Sequence, residues 1–213
     1  MKQKFLAIVQ AILIALVVLS GSIALPILFR PFFYWHIEPM GLASFAGIDG
    51  QQVKAAYNAM MDFCIGVTDT FSAGILPFSE EGMAHFVDVK KLFVLDLRVL
   101  AVAAVLLVAA TLLRKKYPRK LLGHTPGFWG AIGLGASFLV IGSLAALDFD
   151  RAFVIFHQLF FPGKSNWIFN GRTDPIIYML PAEFFRNCAL LILAGILLSC
   201  GGLILWDRKK RKA

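Results

Sequence analysis

Four stretches of the chain, Phe5–Leu28, Leu92–Leu113, Gly127–Leu147 and Cys188–Trp206, each run for about 20 apolar residues, and only the second carries charge, at Asp96 and Arg98. An α-helix rises about 1.5 Å per residue and the hydrocarbon core of a bilayer is about 30 Å thick, so each stretch is long enough to cross a membrane. Hydrophobic residues fill 59% of the 213 positions and charged residues 16%. One water-soluble core of this size could not hide that much apolar surface. The fold class expected is an all-α membrane protein with four transmembrane helices. No repeat, low-complexity stretch or separate soluble domain interrupts the chain, so residues 1–213 are read as a single membrane domain.

Lysine and arginine are retained on cytoplasmic flanks, which gives an orientation. Lys2 and Lys4, the run Arg114–Lys120 and the tail Asp207–Lys212 hold twelve of the 21 basic residues, whereas twelve of the thirteen acidic residues lie in or next to the two other connections. Both termini are therefore expected in the cytoplasm, and residues 29–91 and 148–187 on the extracytoplasmic side as a helical cap. The sequence pI near 9.6 reports this topology and an attraction to anionic lipid headgroups rather than nucleic-acid binding. The first span has the basic start of a signal peptide, but its apolar stretch exceeds the usual 7–15 residues of that segment, so an uncleaved anchor is expected. Cys188 and Cys200 fall in the last span and Cys64 outside the spans, which is no disulfide framework.

Within the first outer segment, Asp49 is placed to cap a helix whose Val53, Ala56, Tyr57, Met60 and Phe63 share one face. Ser79 is placed to cap another, with Glu80 and Glu81 in its first turn. No breaker separates that helix from the second span, so it can run on, holding His85 and Asp88 on one face just above the lipid boundary. In the second outer segment Asp150, Val154, His157 and Phe161 form a helical stripe flanked by Phe153, Phe156 and Phe160. Pro162–Gly163 ends it, and an ordered loop follows with Trp167 as an interfacial anchor.

Lys90 and Lys91 read as cations snorkelling at the head of the second span, and Asp96 with Arg98 as an ion pair or a functional group inside it. His124 reads as solvated or headgroup-facing among basic residues and His36 as interfacial. His85 and His157 are the two histidines able to meet, one on each outer segment. No GxSxG is present and Cys64 has no neighbouring histidine, so a protein nucleophile with its base is not in view. A metal site on His85, Asp88 and His157 would make the chain a metal-dependent lipid hydrolase, but HxxD alone is a weak ligand spacing. Two histidines titrating near neutral pH suit a general base and a general acid, in a reaction whose nucleophile arrives with the substrate. A non-enzymatic reading, a membrane chaperone for lipidated proteins, also fits an aromatic cap. Asp88 is a candidate to orient a histidine, and Asp148, Asp150 or Asp174 to do so for His157. The rival reading has these acids capping helices or pairing with Arg98, Arg151 and Arg172.

In its four spans with an outer cap, the pattern E-E-x-x-x-H-x-x-D-V-K at Glu80–Lys90, FHQLFF at Phe156–Phe161, and W…D…LP…FF from Trp167 to Phe185, the chain resembles the lipoprotein intramolecular transacylase family of small bacterial membrane proteins. The resemblance implies migration of the sn-2 acyl chain of a diacylglyceryl-modified lipoprotein to the α-amino group of its N-terminal cysteine. His85 and His157 would then be the catalytic pair, and Asp88, Arg98, Phe156, Phe160, Trp167 and Asp174 supporting or substrate-binding residues. It implies no cofactor and no metal, a monomer whose partners are the lipoprotein and membrane lipids, and an active site at the extracytoplasmic face of a bacterial cytoplasmic membrane.

Overall fold

The computed structural model describes residues 2–112 and 120–212. Leu113, expected to end the second span, and Arg114–Arg119 of the basic run lie outside the described residues. Eight α-helices follow in chain order among those described: α1 (Lys2–Leu28), α2 (Pro31–Ile37), α3 (Leu42–Ala46), α4 (Gly50–Cys64), α5 (Glu80–Leu112), α6 (Pro126–Leu147), α7 (Phe149–Phe160) and α8 (Ala182–Lys212), with a 3₁₀ turn at Pro175–Met179. α1, α5, α6 and α8 are each long and apolar enough to cross a membrane. The chain divides into two compact units, one made of Met1–Leu25, Asp96–Ala146 and Leu190–Ala213, the other of Pro26–Leu95 and Leu147–Ala189.

In the first unit the spans pack around Ala131, Ile196 and Cys200, with Val18, Phe138 and Leu203 against them. Gly130 lets α6 come against α1, since a Cβ there would stand 2.7 Å from the Ala11 carbonyl oxygen. Close approach through small residues is how helices associate where lipid offers no hydrophobic drive. The Asp96–Arg98 pair is not formed, because residues two apart point to different sides of a helix. Asp96 bonds Ser20 instead, and Arg98 is exposed. His124 is partly buried and bonded on both ring nitrogens. It stacks on Phe128 at 3.9 Å, donates through Nδ1 to the fully buried Asp207 at 2.8 Å, and accepts from Arg211 at 3.0 Å, while Thr125 N–H donates to the other Asp207 oxygen at 2.7 Å.

The second unit is built on α4. Asp49 caps it by accepting from the N–H groups of Gln51 and Gln52, and the Gln52 side chain accepts from Asp49 N–H in return, so three N–H groups are satisfied at once. Val53, Ala56, Tyr57, Met60 and Phe63 are buried as their spacing predicts, with Met61 and Cys64 beside them. Phe33 stacks on Tyr57 with centroids 3.7 Å apart and meets Phe184 edge-on. Arg30 binds Asp62 and Asn58. Lys90 donates to the Thr68 carbonyl at 2.9 Å and lies 4.4 Å over the Phe63 ring.

Candidate active site

α5 is 33 residues long, and its apolar stretch begins at Leu92, so Glu80–Lys91 precede the span as the helical start of the cap unit. That start is fixed by Ser79 and Asp174 in different ways. Ser79 caps the helix through its hydroxyl, which accepts from Gly82 N–H at 2.9 Å. Asp174, 3% exposed, accepts from Ser79 N–H at 2.8 Å and from the hydroxyls of Ser79 and Thr173. A Cβ at position 82 would overlap the Asp174 carboxylate and lie 3.2 Å from Phe169, so only glycine admits this clamp. Asp174 thus ties the loop after α7 to the head of α5 and does not orient His157. Burial pushes its carboxyl up, and the hydrogen bonds from Ser79 and Thr173 outweigh that and hold it below the ordinary value.

His85, one turn into this helix, is 6% exposed, and His157, on α7, is 7% exposed. Their ring centroids are 5.9 Å apart with planes 32° from parallel. α7 is capped by Asp148, which accepts from Arg151 N–H, and it buries only His157; Asp150 and Val154 of the expected stripe are exposed, while Phe161 just beyond the helix is buried. His157 Nδ1–H donates to the Phe153 carbonyl at 2.7 Å. A carbonyl can only accept, so the proton sits on Nδ1 and Nε2 keeps its lone pair. His85 Nδ1 is buried and has no hydrogen-bond partner.

Both imidazoles are held neutral. Burial pushes His85 down to about 4, with His157 and Lys164 acting the same way and Asp88 opposing. Burial lowers His157 as well, against the opposing bond to Phe153.

Aromatic rings wall the pair on several sides. Phe153 lies 4.2 Å from His157, Trp167 stacks on it at 4.6 Å, and Phe161 and Phe169 stand 5.0 and 5.5 Å from His85. Phe156 meets His157 edge-on at 5.5 Å and pairs with Phe160 at 4.6 Å, and both are exposed, 47% and 46%, because α7 turns only its His157 side inward. The Trp167 Nε1–H donates to the Lys164 carbonyl at 3.1 Å. Asp88 touches neither imidazole. It accepts from Lys164, from Lys91 at 3.0 Å and from Asn166 at 3.5 Å, and these bonds hold its carboxyl low although burial raises it. Arg98 belongs to the other unit.

Lys164, Asn166, Phe169 and Gly82 were not singled out by the sequence. Only the HxxD spacing hinted that something would need to meet Asp88. Among the described residues no group of three or more histidine, cysteine, aspartate or glutamate side chains is placed to hold a metal ion.

The arrangement offers two neutral imidazoles, one with its tautomer set, in an aromatic recess. The sequence profile described as "Lipoprotein intramolecular transacylase Lit" matches residues 8–185. No curated protein matches the chain. Among solved structures, that of the membrane integral lipoprotein intramolecular transacylase Lit from Bacillus cereus matches with a TM-score of 0.88 and 25% identity, over 98% of this chain and 96% of that one. Two variants of the same Bacillus cereus protein, with a histidine replaced by arginine in one and by alanine in the other, match at a TM-score of 0.80 and 24% identity, over 98% of this chain and 92% and 94% of theirs. With most of its length under that profile and its four-span helical fold shared with a solved relative, the chain belongs to the lipoprotein intramolecular transacylase Lit family.

Proposed function

We propose that the chain moves the sn-2 acyl chain of a diacylglyceryl lipoprotein onto the α-amino group of that lipoprotein's N-terminal cysteine, with His85 and His157 transferring the protons. The observation that carries this reading is the facing pair itself, two buried neutral imidazoles 5.9 Å apart between centroids. A substrate holding both nucleophile and ester needs only proton transfer and confinement from the protein. Cys64 fits the absence of a protein nucleophile, for burial pushes its thiol up to about 12 and the thiolate is the reactive form.

The step balances as follows. The amine attacks the ester carbonyl, and its proton passes to Nε2 of His157, the nitrogen whose lone pair is free. His157 passes that proton to His85, which becomes the imidazolium. The tetrahedral intermediate then collapses, the bond from carbonyl carbon to glyceryl oxygen breaks, and that oxygen takes the proton from His85, so both imidazoles end neutral and the products are an amide and a free glyceryl hydroxyl. Nitrogen, Cα, Cβ, sulfur, two glyceryl carbons, the ester oxygen and the acyl carbon close an eight-membered ring. Holding such a ring among rigid Phe153, Phe161, Trp167 and Phe169 contributes through orientation.

The active unit faces the extracytoplasmic side of a bacterial membrane, both termini are cytoplasmic, and the protein acts as a monomer on its lipoprotein and lipid partners. The excess of basic residues at the Lys2, Lys120 and Lys212 ends supports this topology. Purified protein with a mixture of isotopically heavy and light lipopeptides tests the reaction. Tandem mass spectra should show N-acylation without crossed products; heavy chains on light peptides would establish an intermolecular transferase instead.

A further inference from the structure

A cavity of about 510 Å³ lies within the unit of four spans, walled by all four helices. Ile14, Leu107 and Leu203 make its walls apolar. Thr111 in the last turn of α5, Thr125 just before α6 and Trp206 near the end of α8 set it toward one end of the spans. A Cβ built on Gly202, another lining residue, meets nothing within 4 Å, so the space is open there. That volume is in the range of small-molecule sites.

The end of α8 beside the cavity carries Arg208, Lys209, Lys210, Arg211 and Lys212. Lys210 Nζ stands 4.5 Å over the ring of Trp206, which fixes a cation next to the cavity wall. The acid side chain closest in sequence, Asp207, is fully buried and bound to His124 and Thr125, so its hydrogen bonds turn inward and leave the exposed lysines without an acid side chain beside them among the described residues.

We propose that this cavity holds one acyl chain of an anionic membrane phospholipid, with the phosphate at the basic end of α8. An apolar slot selects a chain, and a run of cations without an acid beside it among the described residues selects a negative headgroup, since basic residues near an anionic lipid surface are attracted to it. This site lies in a different unit from the imidazoles and does not depend on the acyl-transfer reading.

Native mass spectrometry of the full chain in detergent tests it, titrating phosphatidylglycerol against phosphatidylcholine with the same acyl chains. Phosphatidylglycerol should be retained about tenfold more tightly. Gly202→Phe, which fills the slot, should abolish retention of both lipids, whereas Gly201→Phe, outside the lining, should retain them. Replacing Lys209, Lys210 and Lys212 by glutamine should bring phosphatidylglycerol down to the phosphatidylcholine level, and this variant decides the matter should Gly202→Phe fail to fold. Equal retention of the two lipids by the native chain, or a preference undiminished by the glutamine substitutions, overturns the proposal.

Discussion

The indole of Trp167 lies against the imidazole of His157, with ring centroids 4.6 Å apart and planes 29° from parallel. Its Nε1–H is tied to the Lys164 carbonyl and Lys164 Nζ to Asp88, so the loop after α7 is latched over the histidine. An aromatic pair of this kind contributes about 0.5–1.5 kcal/mol beyond burial. Trp167→Ala should therefore lower kcat/KM by about tenfold or more, and Trp167→Phe by about threefold or less. Equal losses in the two variants, measured on a diacylglyceryl lipopeptide, would sink the stacking account.

Removing either imidazole should be far more costly. His85→Ala and His157→Ala should each lower the rate by about 10²–10⁴, and the double variant should lose scarcely more than the worse single one, since the two act in one step. His36→Ala is the contrast. His36 donates to the Phe32 carbonyl at 2.6 Å and accepts from Asn187 at 3.1 Å, so its loss should cost about 1–3 kcal/mol of stability and leave the chemistry intact. Near-native activity in a folded His85→Ala or His157→Ala variant would refute the proton-transfer roles.

Gly82→Ala should destabilise the cap by about 1–3 kcal/mol, because the new methyl group overlaps the Asp174 carboxylate and presses on Phe169. Asp174→Ala should be at least as damaging, for it strips the Ser79 N–H of its partner. Thermal melts in detergent check both, and an unchanged midpoint for Gly82→Ala would show that the clamp gives way at little cost.

The imidazoles also set a pH dependence. His85 titrates at about 4 in the folded chain against an ordinary 6.5, so as pH falls the unfolded chain takes the proton first. The stability contributed by neutral His85 is full above about pH 6.5 and is lost as pH falls toward about 4. Asp88 and Asp174, both held below the ordinary 3.8, add their losses only at still lower pH. His85→Gln should flatten the melting temperature between pH 6.5 and 4; parallel falls in native and variant chains would remove His85 as the cause. The rate should rise toward the substrate amine's reference pKa of about 7.7–8.0, because the histidines are already neutral there.

At the other end of α8, Asp207→Ala should lower stability by about 1–3 kcal/mol by leaving Thr125 N–H and His124 without their acceptor. Activity per folded molecule should be retained. A melt unchanged from the native chain would mean that the knot of His124, Asp207 and Arg211 holds nothing.

The membrane class, the four spans and the helix starts at Asp49 and Ser79 were legible in the sequence because each rests on local physics. Twenty apolar residues match the bilayer core, and an acid or hydroxyl satisfies orphan N–H groups whatever else the chain does. The buried face of α4 was legible for the same reason, its period being that of the helix. His85 and His157 were named as a pair on their placement near the lipid boundary and on the resemblance, but they are 72 positions apart and no period brings them together. Tertiary packing decided the rest: it faced the two rings, left Phe156 and Phe160 exposed, drew Lys164 and Asn166 onto Asp88, set Asp174 into the space that Gly82 leaves, and set His124 against the buried Asp207. These contacts join residues from distant parts of the chain, and which side of a short helix such as α7 turns inward depends on what packs against it. Composition and periodicity carry no record of that partner.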